Sequence, residues 1–238
     1  MNDDIKLQMA ADADHGFDDF EAQDFSAPFL VILQSNSPYV LEGNQLYISE
    51  ARPGRILNTQ NGKFYKECRV IPCKYSFRTV EWKPRGSGGG FVASYQRGDE
   101  PDDLVADQLT GKVNRVNGNL MQQTGYYLCL LLDGEDRGRV IVPMTSTQLK
   151  KSRNWNSKMV AYKQEDGNGV PPWGQIYRLS VVSESNSKGS WYGWRIEFDS
   201  EVTDTQLYNY AKEVHQIENF LPERLLVSMH KNLEEETM

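Results

Sequence analysis

The chain reads as a succession of short apolar and β-branched runs punctuated by glycine, proline and asparagine, a pattern that predicts strands more often than long helices. Phe29–Leu33 is an apolar run too short to type by its period. Tyr39–Leu41, Gln45–Ile48 and Arg55–Leu57 read as short extended pieces, and Asn61-Gly62 as a hairpin-type turn into Lys63–Tyr65. A strand over Arg69–Tyr75 runs on into Phe77–Lys83, with Pro72 marking a sheet edge or a bulge. Its alternation places Phe77, Thr79, Glu81 and Lys83 on one face and Arg78, Val80 and Trp82 on the other, so both sets cannot line one site. Residues 84–91 form a mobile glycine loop, and residues 98–124, weakly patterned and polar, an insertion or lid.

The second half is more sharply patterned. Residues 126–132 and Arg139–Val142 flank an Asp133-Gly134 turn as a hairpin, and Ser146 or Thr147 is placed to cap a helix running to about residue 162. After a glycine- and proline-rich break at 167–174, strands Gln175–Ser183 and Trp191–Phe198 are joined by a turn at Asn186–Gly189. Thr203-x-x-Gln206 is a capping box for a helix to about Asn219, with Leu207, Tyr210, Val214 and Ile217 on one face; a second helix starts near Pro222. From residue 69 the order is three strands, one helix, two strands, as in the five-stranded Greek-key OB barrel. The expected fold class is therefore mainly β (α+β), an OB-like barrel with extra strands, one internal helix and C-terminal helices. Three segments follow: an acidic flexible arm over 1–26, a β-rich body over 27–200 and a helical element with an acidic end over 201–238.

Charge changes the picture. The 238 residues carry a net charge of −7, yet residues 26–198 are net +6, between flanks of −7 (residues 1–25) and −6 (residues 199–238). Lys63–Arg97 holds eight bases and two acids, and Lys150–Lys163 five bases and no acid. Aromatic rings are interleaved with the bases in both segments. That combination suits a single strand, whose bases stack on rings while Lys and Arg track its phosphates. An alternating strand also buries rings in a core, so at least half of them are expected there. Lys74, Arg78, Lys83, Arg85, Lys150, Lys151, Arg153 and Lys158 are the candidate phosphate contacts; Tyr75, Trp82, Phe91, Trp155, Trp173, Trp191 and Trp194 are the candidate stacking rings.

Other chemistries find less support. The longest apolar run has seven residues, Tyr126–Leu132, against the roughly 20 of a membrane-spanning helix. The acidic N-terminus lacks the apolar stretch of a secretion signal, so a cytoplasm is the expected location. Cys68, Cys73 and Cys129 cannot all pair and read as small buried hydrophobes; Cys68-x4-Cys73 is at most half of a zinc site. The glycine loop lacks the phosphate-loop signature, and no cofactor motif is present. His15, His215 and His230 lie away from any Ser or Cys motif. Glu81-Trp82-Lys83 fits the D/E-x-K pattern of Mg²⁺-dependent nucleases, with Glu67 or Glu50 as the second acid. A nuclease, or a protein-interaction module acting through its acidic flanks, is the alternative to a binding protein.

Several segments are also familiar as a set. Phe29–Ser35, Val70–Tyr75, Val80–Arg85 with Gly88–Phe91, Ser146–Asn156 and Ser187–Trp194 resemble a family of tailed-bacteriophage early proteins, over roughly residues 27–215. Members are described as single-stranded DNA-binding proteins of the phage replication region. The resemblance implies action in the infected bacterium's cytoplasm, in DNA replication or recombination, with single-stranded DNA and phage replication proteins as partners. Self-association is expected by function alone.

Overall fold

The computed structural model describes residues 28–84, 90–106, 112–134, 138–187, 189–221 and 226, with short pieces at 4–5 and 8–9. The expectations for the acidic arm, most of the glycine loop, Arg85 and the last helix lie outside these residues. The described chain is mostly β. In order the elements are β1 (Leu30–Ile32), β2 (Ile56–Asn58), β3 (Phe64–Tyr65), β4 (Glu67–Trp82), β5 (Phe91–Tyr95), β6 (Leu104–Ala106), β7 (Val113–Arg115), β8 (Leu120–Leu131), β9 (Gly138–Thr145), α1 (Gln148–Ala161), β10 (Gln175–Asn186), β11 (Gly189–Glu201) and α2 (Thr205–Gln216). β1, β2 and β3 form a small sheet, and the remaining strands a large one that curls into a half-barrel.

The spine of the large sheet is β4, whose 16 residues are rich in the β-branched and aromatic types that fit a pleated surface. Along one side it pairs with β8, from Val70↔Leu131 to Trp82↔Leu120. Its other side is shared: β10 takes Glu67–Val70, and β5 takes Thr79–Trp82. Between Pro72 and Lys74 the register against β8 slips by one residue. Pro72 has no N–H for a ladder, and the bulge at Cys73 is where the strand accommodates it; β4 itself is central. Because side chains alternate along a strand, one extra residue exchanges the faces. Beyond the bulge Tyr75, Phe77, Thr79 and Glu81 therefore share the face of Cys68 and Val70.

The bulge is clasped from the C-terminal end of α2. The Cys73 carbonyl lies 2.8 Å from His215 Nδ1, and the Lys74 ammonium donates to the carbonyls of Ile217 and Glu218 just beyond the helix. A lysine is favourable there because the last helical carbonyls lack partners and carry partial negative charge.

Each face of the sheet has its own core. On one, Ile71, Cys73, Tyr126, Leu128 and Leu130 pack with Phe29, Leu33, Ala211 and Val214. On the other, Val70, Tyr127, Cys129, Leu131, Tyr177 and Leu179 pack under Trp155 and Met159 of α1. Helix α1 covers only part of that second face. The outer edge of β11 is met by two glutamine side chains: Gln34 both accepts from Tyr192 N (2.9 Å) and donates to its carbonyl (3.0 Å), and Gln148 accepts from Trp194 N (2.9 Å). These bonds occupy edge groups that would otherwise be open to strand pairing.

Several expectations change. Tyr39–Leu41 is not extended: Pro38–Val40 is a 3-10 turn opened by its proline, and residues 45–48 lie in turns and coil. The weakly patterned stretch 98–124 contains β6, β7 and the first five residues of β8, where the polar Gln122, Gln123 and Thr124 hid the start of a strand of 12 residues. Thr147 precedes α1 without a side-chain cap, and Asp204, not Thr203, caps α2 by accepting from Leu207 N at 2.6 Å. All strand ladders among the described residues are antiparallel, and β11 pairs with β10 alone, so these pairings leave the large sheet open at that edge.

Close approach of α1 to β8 depends on one glycine. A Cβ on Gly125 would lie 2.8 Å from Ser152 Oγ and 3.1 Å from the Tyr75 ring. Gly125→Ala is expected to lower stability by about 1–3 kcal/mol through overpacking, read as a shift of the urea midpoint without a change in slope.

Candidate nucleic-acid groove

Where α1 stops covering the sheet, the face beyond the bulge stays open. Two adjoining cavities, of about 530 and 330 Å³, share Glu100, Gln123 and Leu149 and together form a groove. Its floor is sheet: Tyr75, Phe77 and Thr79 from β4, with Met121 and Gln123 from β8. One wall is the start of α1, through Leu149, Ser152 and Arg153; Leu149 and Arg153 are four residues apart and so lie on one side of the helix. The opposite wall carries Arg97, Glu100, Leu104, Lys112 and Val113.

Tyr75 is 37% exposed, with its ring centroid 4.8 Å from that of Tyr127, which in turn stacks on Trp155 at 4.3 Å. The floor tyrosine thus rests on a buried aromatic pillar. The Arg97 guanidinium lies 4.3 Å above the Phe77 ring, a cation–π contact that holds a charge over the floor. Glu100 accepts from Thr79 Oγ1 (2.8 Å) and from Gly98 N (2.7 Å). Burial works to raise its pKa, but these bonds and the charge of Arg97 outweigh it and hold the carboxyl below the ordinary range. Among the described residues the groove therefore combines an exposed ring, two arginines, a lysine and one ionised carboxylate.

Near the groove, Glu81 ties β4 to β5 and β7. It is 1% exposed and accepts from Tyr95 Oη (2.6 Å), Asn119 Nδ2 (2.5 Å) and Arg115 Nη1 (3.2 Å), while Arg115 Nε also meets Asp103 at 2.8 Å. Burial alone would raise the Glu81 pKa; the hydrogen bonds from Asn119, Tyr95 and Arg115 together reverse the shift. Both oxygens of the E-x-K carboxylate are thus already engaged within the fold, and Lys83 is exposed. Among the described residues no group of three or more His, Cys, Asp or Glu is arranged to hold a metal ion. Cys68 and Cys73 belong to opposite cores, and burial pushes both thiols up to about 12.

A carboxyl with a depressed folded-state pKa contributes stability above its unfolded value, and that contribution is lost as pH falls through the folded value. Glu81→Gln is expected to cost about 1–3 kcal/mol at pH 7 by weakening the bonds to Arg115 and Tyr95. The gap between variant and wild type should narrow as the pH falls through the depressed folded-state value, where the wild-type carboxyl protonates. Urea titrations across pH 3–7 check both statements.

The structure sorts the sequence-derived candidates. It brings Tyr75 and Arg153 into the groove, with Lys150 exposed beside them on α1. Lys158 lines a separate hollow of about 150 Å³ between α1 and β11, and Lys83 is exposed at the end of β4. Others hold the fold together. Lys74 caps α2, and Lys151 lies 2.7 Å from Glu184, in space that a side chain on Gly193 would occupy. Arg78 and Trp82 lie on the opposite face, the bulge having exchanged the parities; Phe91 meets Trp82 edge-on at 5.7 Å and packs against the first core. Trp155 and Trp194 are core residues, 1% and 3% exposed, so neither offers a ring to a base. Trp173 lies against the His215 ring at 4.2 Å, and Trp191 donates to Glu184 at 2.8 Å. Sequence reading did not single out Arg97, Glu100, Gln123 or Leu149. Their only signal was Arg97 closing the basic segment: Arg97 and Glu100 lie in the turns after β5, Gln123 near the start of β8 and Leu149 in the first turn of α1, and only the tertiary fold brings them together.

A mostly β protein with an open, basic-and-aromatic groove on one sheet face is the class these features define. A protein-family model described as Pam3 phage gp34-like protein matches residues 3–219, and the chain belongs to that family, a family of bacteriophage proteins. No curated protein and no solved structure matches the chain. Among the described residues no helix is long and apolar enough to cross a membrane.

Proposed function

We propose that this phage protein binds single-stranded DNA in the groove, in phage DNA replication or recombination in the host cytoplasm. The observation that carries the reading is the joining, on one sheet face, of the exposed Tyr75 ring with Arg97 and Arg153 on opposite walls. Stacking on a ring is worth about 1–3 kcal/mol per base and tolerates any sequence, while guanidinium groups on either side neutralise a backbone passing between them. In this reading the curled sheet acts as an OB-like platform: β4, shared between two neighbours on one side, offers the strand the floor of the groove.

Tyr75→Ala tests the reading. It removes the floor ring and leaves both arginines, so affinity for a single strand of about 30 nucleotides should fall roughly 5- to 100-fold. Fluorescence anisotropy with an end-labelled strand measures it. Unchanged affinity in a variant with native circular dichroism would remove the groove from the account.

A further inference from the structure

We propose that Glu100 makes the groove select strands whose bases present an amino group at the position of cytosine N4 or adenine N6, over thymine, which has a carbonyl oxygen there. The inference deepens the single-strand reading and rests on it. Its ground is the uneven chemistry of the groove: among the described residues three cations and a single carboxylate line it, and Glu100 borders both cavities.

A phosphate is attracted to Arg97, Arg153 and Lys112 and repelled by Glu100. A strand in this groove therefore runs its backbone along the cations and turns base edges toward the carboxylate. Glu100 is prepared for that role. Thr79 and Gly98 each supply one hydrogen bond, one to each oxygen, whereas an ionised carboxylate has about four acceptor sites. The remaining sites suit a donor from outside. Held in its ionised form at neutral pH, the group accepts and does not donate.

Cytosine N4 and adenine N6 are amino donors, and acidic side chains accept from cytosine N4. Thymine offers a carbonyl oxygen at the position where cytosine has its amine, so the same contact becomes a repulsion between two acceptors. Gln123 and Ser146, which also line the groove, both donate and accept and do not distinguish the bases. Discrimination falls to Glu100.

The test compares labelled oligo(dC) and oligo(dT) of about 30 nucleotides, two pyrimidine strands with similar backbones, by anisotropy at about 0.1 M salt with the full chain. Oligo(dC) is expected to bind about tenfold more tightly, the lower part of the range for a specific base contact. In Glu100→Gln the gap should close to about twofold or less, since an amide presents a donor to thymine as well as an acceptor. Equal affinity of the wild-type protein for the two strands overturns the inference and leaves the single-strand reading standing. A gap that persists in a folded Glu100→Gln protein overturns the role of Glu100. Failure to bind either strand overturns both readings at once.

Discussion

Replacing Trp155 with alanine is expected to lower stability by about 3–5 kcal/mol, the range for deleting a large buried aromatic side chain. The residue lies in the second basic segment, between Arg153 and Lys158, where a sequence reading assigns it to a binding surface. The structure instead stacks it at 4.3 Å on Tyr127, edge-on at 5.5 Å to Tyr177 and beneath the helix that carries it. Removing it leaves a cavity between α1 and the sheet and takes away the pillar behind Tyr75. Against a total stability of about 5–15 kcal/mol this is a large fraction, and the urea midpoint should fall by about 1–2.5 M at a slope of about 2–3 kcal/mol/M. Trp155→Phe should recover most of the loss, because a ring still fills the site and the indole N–H, which has no hydrogen-bond partner, goes with it. A native midpoint combined with lost DNA affinity would return Trp155 to the surface.

The second large effect belongs to Arg97 and Arg153. Replacing both with alanine is expected to reduce single-strand affinity about 25-fold at 0.1 M salt. The figure follows from counterion release: each phosphate contact to a single strand contributes about 0.7 to the slope of log K against log salt, hence about fivefold at 0.1 M. The slope itself should become shallower by about 1.4. Neither residue belongs to a core, so stability should change little; Arg97 leaves the Phe77 face and Arg153 an exposed turn of α1. Lys151→Ala provides the contrast. Its partner is Glu184, held also by Trp191, so the substitution should act on the packing of α1 against β11 while the salt slope is unchanged.

These contrasts also mark what could be read from the chain. The hairpin of β10 and β11, the helix between β9 and β10, and the hairpin of β8 and β9 were legible because each combines an apolar run with a local turn signal, as at Asn186–Gly189. Pro72 announced an edge or a bulge, and a bulge is what β4 contains. Its consequence was not legible. The exchange of faces past Cys73 decides that Tyr75 and Phe77 meet the groove while Arg78 and Trp82 face away, and it depends on pairing with a strand some 50 residues on. The lysines were misjudged for a similar reason. Nothing in the local sequence tells that Lys74 reaches the end of α2 or that Lys151 meets Glu184, since those partners arrive from 143 residues away for Lys74 and from β10 for Lys151. Rings gave the same difficulty: Trp155 and Tyr75 have equally basic neighbours, and only the packing of α1 on the sheet buries one and exposes the other.

The central claim, that the groove on the β4–β8 face binds single-stranded DNA, is tested most directly by one titration. The full chain is titrated against a labelled single strand of about 30 nucleotides and against its duplex, by anisotropy at several salt concentrations. The account predicts tighter binding of the single strand, an affinity that falls linearly in log K against log salt, and a slope reduced when Arg97 and Arg153 are replaced. Equal binding of duplex and single strand, a slope unaffected by the two arginines, or no binding at low salt would contradict it.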